Sequence, residues 1–150
     1  MVEKDLVVRK SSQPAPDLIS AVVIGYSVGI KTVIGHGAQA LSNIAGKYVG
    51  KEICYYFKDK IKSYEDVEKH LSIFANLKIR DLDDSIVVEI SKCKICPKKV
   101  AKYDFEGTAC PWGGILMGVF EECFGYRLSM NIKLQPGEIC TMTFKKVKND

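Results

Sequence analysis

LKIRDLDDSIVVEI, residues 77–90, decides the fold class, because the spacing of apolar residues changes there from a helical to a strand period. LKIRDL and SIVVEI are short and β-branched, and Asp83 and Asp84 separate them. Two such runs around a polar turn predict a β-hairpin. The segments on either side of this hairpin have different patterns.

Two long helices are predicted at the N-terminal end. Residues 1–16 end in SSQPAP and are predicted to be a short strand or arm followed by a linker. Asp17 is a suitable N-cap for a helix over residues 18–33, LISAVVIGYSVGIKTV. A kink at Gly35-His36-Gly37 separates it from a second helix over 38–57.

A third helical segment directly precedes the hairpin. Ser63 and Asp66 have the spacing of a capping box. In the residues that follow, YEDVEKHLSIFANL, one helical face carries Val67, Leu71 and Phe74. This pattern predicts a helix that leads into the first strand.

The C-terminal third predicts one more helix and a second hairpin. Thr108 is placed to cap a helix with Pro111 in its first turn, and Gly125 ends it. YRLSMNIKL, residues 126–134, alternates between apolar and polar side chains as a half-buried strand does. A turn over 135–138 then leads to a last strand over 139–147.

This order of elements predicts an α+β fold with an antiparallel sheet and helices on one face. The 150 residues are enough for one domain, with 1–16 as an N-terminal arm and 17–150 as the folded part. No internal repeat is visible.

Composition excludes several functional classes. The net charge of +4 is mild, so nucleic-acid binding is weakly supported. The most apolar run, residues 18–30, falls short of the ~20 residues that a membrane span needs, and no secretory signal is visible. We therefore expect a cytoplasmic protein, whose six cysteines are thiols or metal ligands rather than a disulfide framework.

Four of these cysteines form a candidate zinc site. Cys93 and Cys96 make a C-x-x-C that follows a predicted strand, and such a short turn brings two sulfurs to one ion. Cys110 lies at a predicted helix start, where free N–H groups and the helix dipole favour a thiolate. Cys140, early in the last strand, is the candidate fourth ligand.

Other interpretations of the cysteines stay open at this point. The C-x-x-C also fits a redox pair, although a thioredoxin-type pair requires a helix after the first cysteine and PKKVAKYDF has no helical pattern. Lone cysteines such as Cys110 and Cys140 are often inert buried side chains. Cys54, among aromatic residues, and Cys123, on an apolar helical stripe, are predicted to be core residues.

Motifs for common enzyme classes are absent from the sequence. Gly35-x-Gly37 lacks the rest of a dinucleotide-binding fingerprint, and there is no phosphate-binding loop or H-E-x-x-H. No Ser/His/Asp set or paired carboxylates stand in a recognisable setting. The residues alone therefore give little support for an enzyme.

The C-terminal half resembles the 4-vinyl reductase domain, and this chain is most similar to its stand-alone archaeal members. The resemblance covers roughly residues 20–148, and its specific motifs are TACPW at 108–112, Gly114 and Gly118 in one helix, the alternating strand, and GEIC at 137–140 with Phe144.

The resemblance implies the fold shared by nitric-oxide-sensing haem domains and Golgi-transport subunits, often dimeric and built around an apolar, hydrocarbon-binding pocket. It also implies zinc beside the pocket, with Cys110 and Cys140 at two ligand positions of the family. The Glu-x-x-Cys that precedes the last strand in the family is missing between Met130 and Pro136. Cys93 and Cys96 would complete an all-sulfur shell, which is typical of structural rather than catalytic zinc.

We therefore expect a cytoplasmic domain that binds an apolar small molecule and zinc, in a sensory or carrier role and as a homodimer. Its pocket is predicted between the early helices and the sheet, and its candidate lining residues are Tyr26, Ile30, Trp112 and Leu116. Two alternatives remain: a thiol-dependent reductase that uses the C-x-x-C, and a dimeric interaction module whose zinc is purely structural.

Overall fold

The computed structural model describes residues 7–148. The elements are β1 (Val8–Arg9), α1 (Leu18–Ile34), α2 (Ala38–Phe57), α3 (Tyr64–His70), β2 (Asn76–Asp81), β3 (Ser85–Ser91), β4 (Tyr103–Asp104), α4 (Trp112–Phe124), β5 (Lys133–Gln135) and β6 (Cys140–Lys145). A 3₁₀ turn at Lys58–Lys60 follows α2. The predicted α+β class is confirmed.

The main sheet has four antiparallel strands in the order β2-β3-β6-β5. β2 and β3 form the predicted hairpin, with Leu77 opposite Ile90. Alternate residues of β3 are buried, and its inward face carries Ile86, Val88 and Ile90. A strand with one buried face belongs to a sheet that is covered by helices on one side.

The helices lie in layers on that side of the sheet. α4 packs directly against the sheet, where the Phe120 ring meets the Phe144 ring edge-on at 5.5 Å between centroids. Its residues from Trp112 to Phe120 are all buried. A helix that is buried on all sides needs a second layer, and α2 supplies it.

Four glycines allow α2 and α4 to approach at backbone distance. A Cβ built on Gly46 would lie 2.8 Å from the Pro111 carbonyl oxygen, and one on Gly118 would lie 3.0 Å from the Gly50 Cα. Each helix presents its two glycines four residues apart, on one face. We call this contact of Gly46 and Gly50 with Gly114 and Gly118 the glycine seam.

Most of the predicted helix boundaries are confirmed. Asp17 caps α1 by accepting a hydrogen bond from the Ser20 N–H at 2.7 Å. Ser63 and Asp66 form the capping box of α3. Gly125 ends α4 in a left-handed conformation at φ 71°.

Three predictions about local structure are wrong. Thr108 does not cap α4, which begins after Pro111 without a side-chain cap. α3 ends at His70, and Leu71 to Phe74 form turns before β2. Residues 126–134 are mostly not a strand: one isolated bridge joins Leu128 to Lys146, and β5 begins only at Lys133. Alternation reports burial, which an irregular segment lying along the core also produces.

The N-terminal arm is partly described. β1 pairs antiparallel with β4, which ties the arm to the loop between β3 and α4. Residues 1–6, at the start of the predicted arm, and 149–150 lie outside the described residues. No helix within residues 7–148 has both the length and the apolar character needed to cross a membrane.

Candidate functional site

The four predicted ligand cysteines lie in one region, three of them between β3 and α4 and the fourth at the start of β6. Cys93 and Cys96 follow β3 directly, and Cys110 lies two residues before α4. Cys140 is the first residue of β6 and pairs with Ile90 at the end of β3. The Cys93, Cys96 and Cys140 thiols are all close enough to Cys110 to raise its pKa by like-charge repulsion. We call these four residues the thiol cluster.

The C-x-x-C forms a turn whose N–H groups point at sulfur. Burial raises the pKa of the Cys93 thiol, and the Trp112 indole N–H, which donates to its sulfur at 3.2 Å, opposes that rise. The backbone N–H groups of Ile95 and Cys96 also interact with the Cys93 sulfur. The Lys99 N–H donates to the Cys96 sulfur at 3.4 Å. Hydrogen bonds to sulfur favour the thiolate form that a metal ion requires.

The pKa of Cys110 is shifted in the direction opposite to that expected at a helix start. Burial raises its pKa well above the usual range, and the nearby thiols add to the rise. A hydrogen bond from the Trp112 backbone N–H lowers this pKa, as expected at a helix start, but the lowering is smaller than the rise caused by burial. The expected helix-start effect is therefore present but is outweighed by burial and by neighbouring sulfur.

Two residues that the sequence did not single out support the thiol cluster. The Gln39 side chain holds the Cys110 backbone at both ends, with its Nε2 donating to the carbonyl and its Oε1 accepting from the N–H, each at 2.8 Å. The Lys99 ammonium lies 3.1 Å from the Cys140 sulfur and also donates to the Gly137 carbonyl. Neither residue belongs to a spacing motif, so no sequence signal could have identified it.

The four thiols are not arranged with the geometry of a metal site. Across residues 7–148, no group of three or more His, Cys, Asp or Glu side chains is arranged to hold a metal ion. The Cys93 and Cys140 sulfurs instead accept hydrogen bonds from Trp112 and Lys99. The donor set fits zinc in number and type, whereas its arrangement would have to tighten around an ion.

Cys54 and Cys123 are not free thiols, contrary to the prediction for them. Their sulfurs are bonded at 2.09 Å, with the two Cα atoms 5.9 Å apart. Both residues do pack in or against the core, as predicted. The bond joins the C-terminal ends of α2 and α4, beyond the glycine seam, and the pattern of each helix gave no sign that the two ends meet.

An apolar cavity of about 370 Å³ lies between α1, α2 and α4. Its lining residues are Val22, Val23, Tyr26, Ser27, Ile30, Ser42, Ala45, Gly46, Val49, Pro111 and Ile115. Pro111 directly follows Cys110, so one wall of the cavity is continuous with the thiol cluster. The size and apolar lining are typical of a small-molecule site.

Two of the four predicted pocket residues line this cavity. Tyr26 and Ile30 do so, whereas Trp112 and Leu116 are 1% and 0% exposed and belong to the core. Instead, Pro111, which directly precedes α4, and Ile115 of α4, each one position earlier, face the cavity. The cavity therefore lies between helices, not between helices and sheet, because α4 fills the space against the sheet.

Ser42 is the polar residue that distinguishes the cavity. Its side chain lines the cavity and is 3% exposed, and its hydroxyl has no hydrogen-bond partner among the described residues. Ser27, the other serine there, donates to the Val23 carbonyl at 2.9 Å. A buried hydroxyl without a partner costs about 1–3 kcal/mol, so its presence needs an explanation.

Sequence comparison places the chain in a family. The sequence profile of the MJ0207 family matches residues 19–146, which include the thiol cluster and the cavity. The chain belongs to the MJ0207 family.

Two relatives from Methanocaldococcus jannaschii match the chain. Uncharacterized protein MJ0207 is 46% identical over 143 residues, covering 92% of this chain and 95% of that protein. Uncharacterized protein MJ1342 is 31% identical over 80 residues, covering 49% of this chain and 69% of that protein. These names report no activity, and the resemblance to the 4-vinyl reductase domain stays a prediction.

Proposed function

We propose that this protein binds an apolar small molecule in the cavity between α1, α2 and α4, as a sensory or carrier domain. The observation that carries the proposal is the cavity of about 370 Å³ whose apolar wall contains the Ser42 hydroxyl, which has no partner within residues 7–148. An apolar molecule with one polar group would fill the cavity and supply the missing hydrogen bond. The 4-vinyl reductase resemblance points to the same class of ligand.

The proposal is tested with naphthalene and 1-naphthol, which differ by one hydroxyl. Calorimetric titration is expected to show binding of both, with 1-naphthol roughly fivefold tighter because a hydrogen bond contributes about 1 kcal/mol. Ala45→Trp, which fills the cavity from its wall, should abolish binding of both. Ile44→Trp is the matched control, since Ile44 is the preceding residue of α2 and is exposed outside the cavity.

Native mass spectrometry gives an independent readout of the same proposal. A co-purified apolar molecule, lost in Ala45→Trp and retained in Ile44→Trp, would support it. Failure of both naphthalene compounds to bind, together with a chain that carries no such molecule, would refute the binding function.

The proposal includes a zinc ion held by Cys93, Cys96, Cys110 and Cys140. It is supported by four thiols of the type and number that structural zinc takes, and by N–H groups that point at three of the sulfurs. Bound zinc would fix the loop of Cys110 to the last strand and so hold the Pro111 wall of the cavity in place. Its role would be structural, since a four-sulfur shell leaves no open position.

Elemental analysis of the purified protein tests the zinc. We expect one zinc per chain, lost in Cys93→Ser and in Cys140→Ser together with stability. The double variant Cys54→Ala/Cys123→Ala, which lacks only the disulfide, should keep the metal. A metal-free chain whose four thiols all react with a thiol reagent would contradict the assignment.

A cytoplasmic location is part of the proposal, because the four free cysteines need a reducing compartment to stay thiols. The Cys54–Cys123 bond is an exception that such a compartment rarely permits.

A further inference from the structure

Helix α1 has mostly polar residues at its buried positions and mostly apolar residues at its exposed positions. Its buried positions are Ser20, Ile24, Ser27 and Lys31, three of which are polar or charged. Apart from Thr32, its exposed positions carry apolar or aromatic side chains or glycine, and the large ones are Leu18, Ile19, Val22, Tyr26, Val33 and Ile34, with exposed fractions from 45% to 82%. The only charged residue of α1 is the buried Lys31. A surface helix of a monomeric globular protein has the opposite arrangement, with apolar residues facing the core and polar residues facing solvent.

A row of small residues runs along one side of this outward face. Ala21, Gly25 and Gly29 follow one another at intervals of four, and a Cβ built on either glycine would meet nothing within 4 Å. The same spacing of glycines occurs in the glycine seam, where it brings α2 and α4 to backbone contact. Within the described chain, the row on α1 has no such partner.

We propose that a second copy of this chain packs against the outward face of α1, helix against helix across a two-fold axis. The exposed parts of the large apolar side chains of this face, together with Leu41, offer roughly 500 Å² per copy, taking about 100 Å² for a fully exposed aliphatic and about 200 Å² for a fully exposed tyrosine side chain. Exposed backbone at Ala21, Gly25 and Gly29 adds to this, so the face approaches the ~600 Å² per partner that marks the lower end of standard interfaces.

The chemistry of the face selects a copy of itself over other partners. It has no exposed charge, so two copies meet without like-charge repulsion although each chain carries +4. A helix that lies on a lipid surface carries Lys or Arg on its flanks, and α1 exposes neither. The small residues supply the close approach that a symmetric helix pair requires.

The second copy would also complete the cavity. Val22, Tyr26 and Ile30 line both the cavity and an open apolar groove of about 680 Å³ on the outward side of α1. Tyr26 is 75% exposed in the single chain. A copy seated on that groove would cover the outer side of these three residues and shield the cavity from water.

Light scattering after size-exclusion chromatography tests the interface on the full chain. We expect a mass of twice the 16.7 kDa chain mass. Gly25→Leu and Val33→Glu should each weaken the dimer at least tenfold, the first by blocking close approach and the second by burying a charge. Gly25→Leu has free space in its own chain and a better helix former, so its monomer should melt at a higher temperature than wild type.

Ile73→Glu is the matched control, because Ile73 is 54% exposed in the turn after α3 and lies outside the outward face. It should leave the mass unchanged. A wild-type chain that is monomeric at its solubility limit would overturn the proposal, as would a dimer that both α1 variants leave intact. A monomer that co-sediments with phosphatidylcholine vesicles, and loses this with Val33→Glu, would assign the face to lipid instead. Light scattering measures the mass without any ligand. Titration of the same samples with naphthalene therefore separates failure of the interface from failure of the binding function.

Discussion

Gly50 of α2 lies against Ile115 of α4 with no room for a side chain, since a Cβ built on Gly50 would overlap the Ile115 carbonyl oxygen. The obstacle is backbone rather than a flexible side chain, so the helices themselves would have to separate. Gly50→Ala should therefore lower the free energy of unfolding by about 3 kcal/mol, although alanine favours a helix. Urea denaturation measures it. Ala40→Gly, at an exposed site of α2, should cost only about 1 kcal/mol; a stabilised Gly50→Ala would show that the seam is not closely packed.

The disulfide between Cys54 and Cys123 spans 69 residues of sequence, so it restricts the unfolded chain strongly. Cys54→Ala/Cys123→Ala should lower the free energy of unfolding by roughly 4 kcal/mol. Denaturation with and without reductant gives the measurement. Reductant should destabilise the wild type and leave the double variant unchanged. An equal response of both proteins would mean that the bond contributes nothing.

Helices were predictable where local signals set their ends, and the hairpin where a change of period marked it. The capping signals act within one helical turn and can therefore be recognised from the sequence alone; they are Asp17, the capping box of Ser63 and Asp66, and Gly125. The strand predicted over 126–134 failed because its alternation records contact with the core, which does not require a sheet neighbour. Local pattern cannot distinguish the two.

The candidate site likewise has some residues that the sequence predicts and others that it does not. The C-x-x-C spacing placed Cys93 and Cys96 in one turn, and the positions of Cys110 and Cys140 at element ends brought them near it. Gln39 reaches Cys110 from another helix, across 71 residues of sequence, and this contact depends on the glycine seam. The cavity likewise depends on how α1 crosses α2 and α4, which is why its α4 residues were predicted one position too late.

Gln39 supports the thiol cluster through two hydrogen bonds to the Cys110 backbone, each 2.8 Å long. Gln39→Ala leaves a partly buried N–H and carbonyl unpaired, so we expect a loss of about 2 kcal/mol from the free energy of unfolding. Gln39→Glu keeps the acceptor and should lose about half as much. Thermal denaturation compares the three proteins; equal stability of Gln39→Ala and wild type would contradict the supporting role.

A cluster around Asp81 joins the first hairpin to Tyr64 of α3 and to Lys146, which directly follows β6. Its carboxylate accepts from the Tyr64 hydroxyl at 2.8 Å and from the Lys146 ammonium at 2.5 Å. Burial raises the pKa of Asp81, but these hydrogen bonds outweigh it and hold the pKa below its usual range. Because the pKa is lower in the folded state, the ionised carboxylate stabilises the fold. This stabilisation is fully present above the unfolded-state pKa of about 3.9 and is lost as the pH falls through the folded-state pKa.

Asp81→Asn should therefore cost about 1 kcal/mol at neutral pH, a value discounted for solvent screening, and nothing in strong acid. Urea midpoints measured from neutral pH down to strong acid test this. Asp59→Asn, in the 3₁₀ turn after α2, is the control and should change little at any pH. A cost of Asp81→Asn that grows as the pH falls would contradict the sign of the shift.

Ser42 is expected to separate stability from ligand binding. Its buried hydroxyl has no partner among the described residues, so Ser42→Ala removes an unpaired polar group and should raise the free energy of unfolding by about 1 kcal/mol. The same change removes the hydrogen bond proposed for the ligand, so 1-naphthol should bind roughly fivefold more weakly while naphthalene is unaffected. Ser27→Ala is the control, because that hydroxyl already donates to the Val23 carbonyl. A Ser42→Ala protein that binds the two compounds as the wild type does would show that the serine is not the polar anchor of the cavity.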